Sequence, residues 1–116
     1  CVNMRCTTKA TTTSSASTTR PCWVVQNYVS GLSWYRVWSD GWIEQGGAIL
    51  ATSDQNYKNH TITFLKAFSN TNYHVSVTSS WTGSTGNGSS YFFSKQTNQF
   101  SMSVCGYGGN WYACGY

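Results

Sequence analysis

The sequence predicts an all-β fold, a small antiparallel β-sandwich of about seven to eight short strands, on three observations. The strand-favouring residues Thr, Val, Tyr, Trp and Ser are plentiful while Glu, Lys, Leu and Ala are scarce. Apolar and polar residues alternate with period two in several segments, and no stretch carries a helical period. Turn chemistry punctuates the chain at Asp40-Gly41, Ser69-Asn70-Thr71, Thr97-Asn98 and Gly109-Asn110.

The elements follow in chain order. Residues 7–19 hold ten Ser/Thr in thirteen positions and no large apolar residue, so 1–20 reads as an extended linker that cannot nucleate a core. Alternatively, its β-branched repeats are ordered only where copies of the chain meet. Pro21 favours an extended entry into the domain at 21–116. Strands are expected at about 22–29, 34–38, 42–51, 60–67, 72–79, 90–96, 99–105 and 111–115. Ile62 and Phe64 oppose Thr61 and Thr63; Tyr73, Val75 and Val77 oppose His74, Ser76 and Thr78; Phe100, Met102 and Val104 oppose Ser101 and Ser103. Asp40-Gly41 suits a two-residue type I′ hairpin, which would pair Trp38 with Ile43 and Val37 with Glu44 and leave neither face cleanly apolar. Ser69-Asn70-Thr71 is expected to close a hairpin between 60–67 and 72–79, and Thr97-Asn98 to turn the chain before Gln99. Some sheet edges stay open, and oligomerisation is one way to protect them.

Composition excludes several functions. Charged residues are 9% of the 116-residue chain, unlike an enzyme of soluble metabolism, and the net charge of +4 comes from basic residues spread along the sequence. A nucleic-acid footprint wants those charges clustered. No apolar run approaches the ~20 residues of a membrane span, and no signal-like segment is present. The chain begins at Cys1, not Met, as a fragment or processed product would.

Catalytic and metal chemistry fare no better. Asp40 and Glu44 are the only close acidic pair, and Asp40 is accounted for by its turn. His60, His74 and Asp54 form no recognisable hydrolytic set, and no nucleophile elbow occurs. Five cysteines (Cys1, Cys6, Cys22, Cys105 and Cys114) lack metal-ligand spacing, so neither metal nor cofactor is expected. A tight turn at Gly109-Asn110 would set Cys105 opposite Cys114, close enough for a disulfide; two reduced thiols packed as small apolar groups is the alternative. The odd count leaves at least one thiol free or intermolecular. Asn59-His60-Thr61 and Asn87-Gly88-Ser89 fit a glycosylation pattern that chance supplies readily in such a chain.

A binding surface is the better expectation. The Gly/Ser/Asn-rich loop 81–91 is bracketed by Trp81 and Tyr91, and the last turn carries Tyr107, Trp111 and Tyr112. Aromatic faces stack on sugar rings, and Asn87 and Asn110 can read hydroxyls. The expected receptor-binding residues are therefore Trp81, Asn87, Tyr91, Tyr107, Asn110 and Tyr112.

Three stretches carry a resemblance. The run Trp34-Tyr35-Arg36-Val37-Trp38-Ser39-Asp40-Gly41-Trp42-Ile43-Glu44-Gln45-Gly46-Gly47, then Thr61-Ile62-Thr63-Phe64-Leu65-Lys66-Ala67-Phe68, then Asn72-Tyr73-His74-Val75, resembles the C-terminal tip domain of phage and prophage tail fibre proteins. The ending Trp111-Tyr112-Ala113-Cys114-Gly115-Tyr116 fits too, so the resemblance covers about 20–116 and leaves Cys1, Cys6 and Cys22 outside its pattern. It implies a β-sandwich at the fibre tip, a homotrimer, and attachment to a bacterial surface receptor, commonly a glycan. It also implies that 1–20 is a remnant of the fibre shaft. A virion component folded in the host cytoplasm needs no signal peptide, and that reducing compartment argues against disulfides. Two other readings are a secreted carbohydrate-binding module and a purely structural trimerisation knob.

Overall fold

The computed structural model describes residues 22–51, 56–80, 90–105 and 108–116. The linker 1–20 and residues Trp81, Asn87, Tyr107 and Asp54 lie outside them. Eight strands follow one another: β1 (Val24–Ser30), β2 (Ser33–Trp38), β3 (Ile43–Ile49), β4 (Tyr57–Thr63), β5 (His74–Ser79), β6 (Tyr91–Phe93), β7 (Gln99–Cys105) and β8 (Gly109–Gly115). All pair antiparallel, in a five-stranded sheet of order β1-β2-β3-β8-β5 and a three-stranded sheet of order β4-β7-β6. The expected all-β sandwich is the fold observed.

Alternation puts the core between the sheets. Phe100, Met102 and Val104 of β7 are fully buried against Val75, Trp111, Ala113 and Ile43 of the larger sheet. The segment after β4 supplies the rest. Phe64 packs edge-on against Phe68 and Tyr73, with centroids 5.0 and 5.2 Å away, and Phe68 stacks on Tyr73 at 4.4 Å. Such aromatic pairs contribute beyond their burial alone.

Three expectations about connections need correction. The turn at Asp40-Gly41 has three residues, not two. Gly41 donates to Trp38 O at 2.8 Å, Asp40 Oδ1 accepts from the Trp42 amide at 3.0 Å, and Gly41 takes a φ of 90°. This is the three-residue hairpin with a left-handed final residue. It pairs Val37 with Ile43 and Arg36 with Glu44, one residue off the expected register. Because side chains alternate, that shift exchanges the faces. Tyr35, Val37, Ile43 and Gln45 share the inner face, and Trp34, Arg36, Glu44 and Gly46 the outer one.

Ser69-Asn70-Thr71 closes no hairpin: β4 ends at Thr63 and lies in the small sheet, while β5 lies in the large one. The chain crosses between sheets because Phe64 and Phe68 must enter the core from that crossover. Likewise Gly109 and Asn110 already belong to β8, so Cys105 stands opposite Tyr57 and Cys114 opposite Glu44 and His74. The register that would have faced Cys105 with Cys114 does not form. Cys22 and Cys114 are nevertheless each engaged in a disulfide, contrary to the reduced state that cytoplasmic folding implied.

Gln45 joins the two halves. It has no solvent exposure, yet its amide is satisfied: Nε2 donates to Lys66 O at 2.6 Å and Oε1 accepts from the Lys66 amide at 3.3 Å. A side chain thus replaces a strand neighbour for the crossover backbone. Gln45→Leu keeps the volume and abandons both Lys66 groups, and should cost about 2 kcal/mol. Gln45→Ala adds a cavity and should cost about 3 kcal/mol. Urea denaturation midpoints check both values, and a wild-type midpoint for Gln45→Leu would refute the role.

Candidate functional site

The outer face of the large sheet is the most elaborated surface. Register places Trp34 and Arg36 on β2, Glu44 and Gly46 on β3, Asn110 and Tyr112 on β8, and His74 and Ser76 on β5. Gly46 makes room for the Trp34 indole, since a Cβ there would stand 3.0 Å from Trp34 Cζ2. The Arg36 guanidinium lies over that indole, 5.3 Å from its centroid, and the Tyr112 ring lies 6.2 Å from it. Glu44 is buried for a carboxylate and hydrogen-bonds the Tyr112 phenol. His74 Nε2 lies 3.0 Å from Ser76 Oγ.

A groove of about 320 Å³ runs along β1 and β2, lined by Asn27, Val29, Trp34 and Arg36 of the outer face together with Tyr28 and Tyr35. A cleft of about 380 Å³ opens at the sheet's end between Trp42, Asn70, Asn72, His74 and Tyr116, where Trp42 and Tyr116 meet edge to face at 5.5 Å.

The expected receptor-binding residues that fall among the described ones separate onto two surfaces. Asn110 is exposed and Tyr112 half-buried, two residues apart on the outer face of the large sheet. Tyr91 sits on β6 opposite Ser103, facing outward from the small sheet, 56% exposed and 5.8 Å from Phe93. The sandwich therefore lies between Tyr91 and Tyr112. Trp111, named beside them in the sequence, is core. Trp34 and Arg36 escaped the sequence reading because a two-residue turn scrambles their face, and the signal that finds them is the three-residue turn.

The other chemistry-bearing residues disperse. Asp40 caps its turn, and Glu44 is engaged with Tyr112. His60 lies in the small sheet opposite Met102, whereas His74 lies in the large one. Among the described residues no group of three His, Cys, Asp or Glu could hold a metal, and no helix is long and apolar enough to cross a membrane.

No family model and no curated protein matches the chain. In structure it is similar to an N-truncated R2-type pyocin tail fibre, with a TM-score of 0.53 and 22% identity over 83% of this chain. The chain spans 38% of that fibre fragment. What the two share is the fold.

The electrostatics of the outer face are measurable. Burial, then the Glu44 charge and hydrogen bond, push the Tyr112 phenol up to about 12, with Arg36 pulling the other way. The folded state therefore keeps a proton that the unfolded chain releases near pH 10. Stability present below pH 10 should fall as pH rises towards 12. Phenolate absorbance should show Tyr112 titrating late, as burial also makes Tyr73 do, and Glu44→Gln should move the Tyr112 midpoint down and leave Tyr73 in place. An unmoved midpoint would remove Glu44 as the cause.

Proposed function

We propose that this chain is the receptor-binding tip of a phage-type tail fibre, assembled as a homotrimer, that attaches to a glycan on a bacterial surface. The likeness of its sandwich to a pyocin tail-fibre domain over most of its length carries this reading. Composition agrees with it, since a surface of hydroxyls, amides and aromatics with few charges suits hydrogen bonding and stacking on sugars. Tyr91 and Asn110 are exposed for such contacts.

Oligomerisation has a structural motive in β1. That strand ends the five-stranded sheet, and no strand among the described residues pairs with its outer edge. Trp23 just before it, Val25 on it and Leu32 in its turn are exposed. A long apolar edge invites another chain, and natural proteins seldom leave one bare. We place the subunit interface along this edge.

A secreted carbohydrate-binding module is the second reading, favoured by the disulfide-bonded Cys22 and Cys114, since such bonds persist in oxidising compartments. Native mass separates the two: a trimer supports the fibre tip, a monomer the module. Val25→Lys with Leu32→Lys should turn the trimer into monomers. Tyr91→Ala and Tyr112→Ala should abolish adsorption to host bacteria while the trimer persists. Full adsorption by both variants would remove these residues from the receptor site, and a structural knob would bind no cell at all.

A further inference from the structure

The outer-face residues of the groove along β1 and β2, Asn27, Val29, Trp34 and Arg36, have the chemistry of an acidic-sugar site. Arg36 is exposed and makes no ion pair among the described residues. Its cross-strand neighbour Glu44 is committed to the Tyr112 phenol, so the guanidinium is not neutralised by a bonded carboxylate. The Trp34 indole beneath it holds the cation through its π face and fixes its orientation. On the other strand Asn27 stands directly opposite Arg36, and Val29, 71% exposed, directly opposite Trp34. Such cross-strand neighbours are about 5 Å apart, and residues two apart on a strand about 7 Å. A pyranose ring fits that spacing.

We infer that this groove binds one sugar residue carrying a carboxylate or phosphate. The guanidinium takes the anionic group through paired hydrogen bonds, as its planar fork allows. Asn27 reads a hydroxyl, and the exposed part of the Trp34 ring and Val29 cover the apolar face of the sugar. The chain's positive net charge favours the encounter. The inference rests on the glycan-binding reading above and deepens it, naming the ligand class and a surface different from the loop 81–91.

The test is calorimetric titration of the intact oligomer with three oligosaccharides: one containing a uronic acid, one a sugar phosphate, and one the neutral parent. Adsorption to a panel of bacterial strains is measured in parallel. Binding to either acidic arm, at least tenfold tighter than to the neutral parent, is the expected result, and which arm binds identifies the anionic group. Arg36→Gln should weaken that binding at least tenfold, Arg36→Lys less, with oligomer mass and melting temperature unchanged. Trp34 packs over Gly46, so Asn27→Ala, at an exposed position, is the second variant and should weaken binding without loss of fold.

Acidic binding untouched by Arg36→Gln and Asn27→Ala would overturn the inference, as would adsorption to cells with no preference for either acidic arm. The latter result would leave the fibre-tip reading standing. Groove-dependent binding of an acidic sugar by a protein that adsorbs to no strain would support the site and count against the tip.

Discussion

The turn at Ser39-Asp40-Gly41 decides which residues of the large sheet face the core. Its geometry rests on small local terms: an aspartate oxygen capping the Trp42 amide, a main-chain bond from Gly41 to Trp38, and a glycine at a φ that other residues avoid. These terms determine register, and register assigns every side chain from Trp34 to Gly47. With three turn residues Gln45 points inward and Glu44 outward. With two, a carboxylate would enter the sandwich and the amide that holds the crossover would face solvent. Burying an unpaired carboxylate costs several kcal/mol, far more than the turn alone contributes, so core and turn enforce one register together.

From that register the remaining pieces follow. Gln45 captures the Lys66 backbone, and this anchors a segment whose Phe64 and Phe68 complete the core. The crossover is tied down on its other side too, where Phe64 and Phe68 donate to Asn98 O and Thr97 O. Gly46 and Gly47 are small because Trp34 covers one side of β3 and Trp111 the other; a Cβ at Gly47 would stand 2.7 Å from Trp111 Nε1. The order of Glu44-Gln45-Gly46-Gly47 and then Phe64-Leu65-Lys66-Ala67-Phe68 thus has a mechanical reason. One stretch supplies the amide and the space, and the other supplies the backbone and the rings that use them.

The same particulars show what was legible in the sequence. Eight strands could be read because apolar residues alternate in short runs, and alternation survives any uncertainty in pairing. Pairing was harder, since Asp-Gly satisfies both a two-residue and a three-residue hairpin, and only the core distinguishes them. Ser69-Asn70-Thr71 reads as a hairpin turn because a tight reversal and a crossing between sheets use the same residues. Gly109-Asn110 misled for a different reason. That glycine serves close packing, not a turn: a Cβ there would collide with Thr78 O. The aromatic count promised a binding surface without saying where, because Trp111 in the core and Tyr91 on the surface look alike in composition.

The strand that builds the scaffold also presents the proposed groove. On β2, Tyr35 and Val37 point inward and Trp34 and Arg36 outward, so adjacent positions serve opposite demands. The inward set is constrained by the core and by the turn. The outward set is constrained less: Trp34 by the space over Gly46, Arg36 by its stacking on Trp34. A substitution at Arg36 or Asn27 changes the chemistry of the groove without altering the packing that Gln45 and the aromatic cluster maintain. That separation is what a recognition surface on a small domain requires, because specificity can then change at outward positions while the sandwich stays intact. The stacking of Arg36 on Trp34 adds only a modest cation–π contribution to the fold, so the guanidinium in the proposed groove can be replaced with little effect on the sandwich.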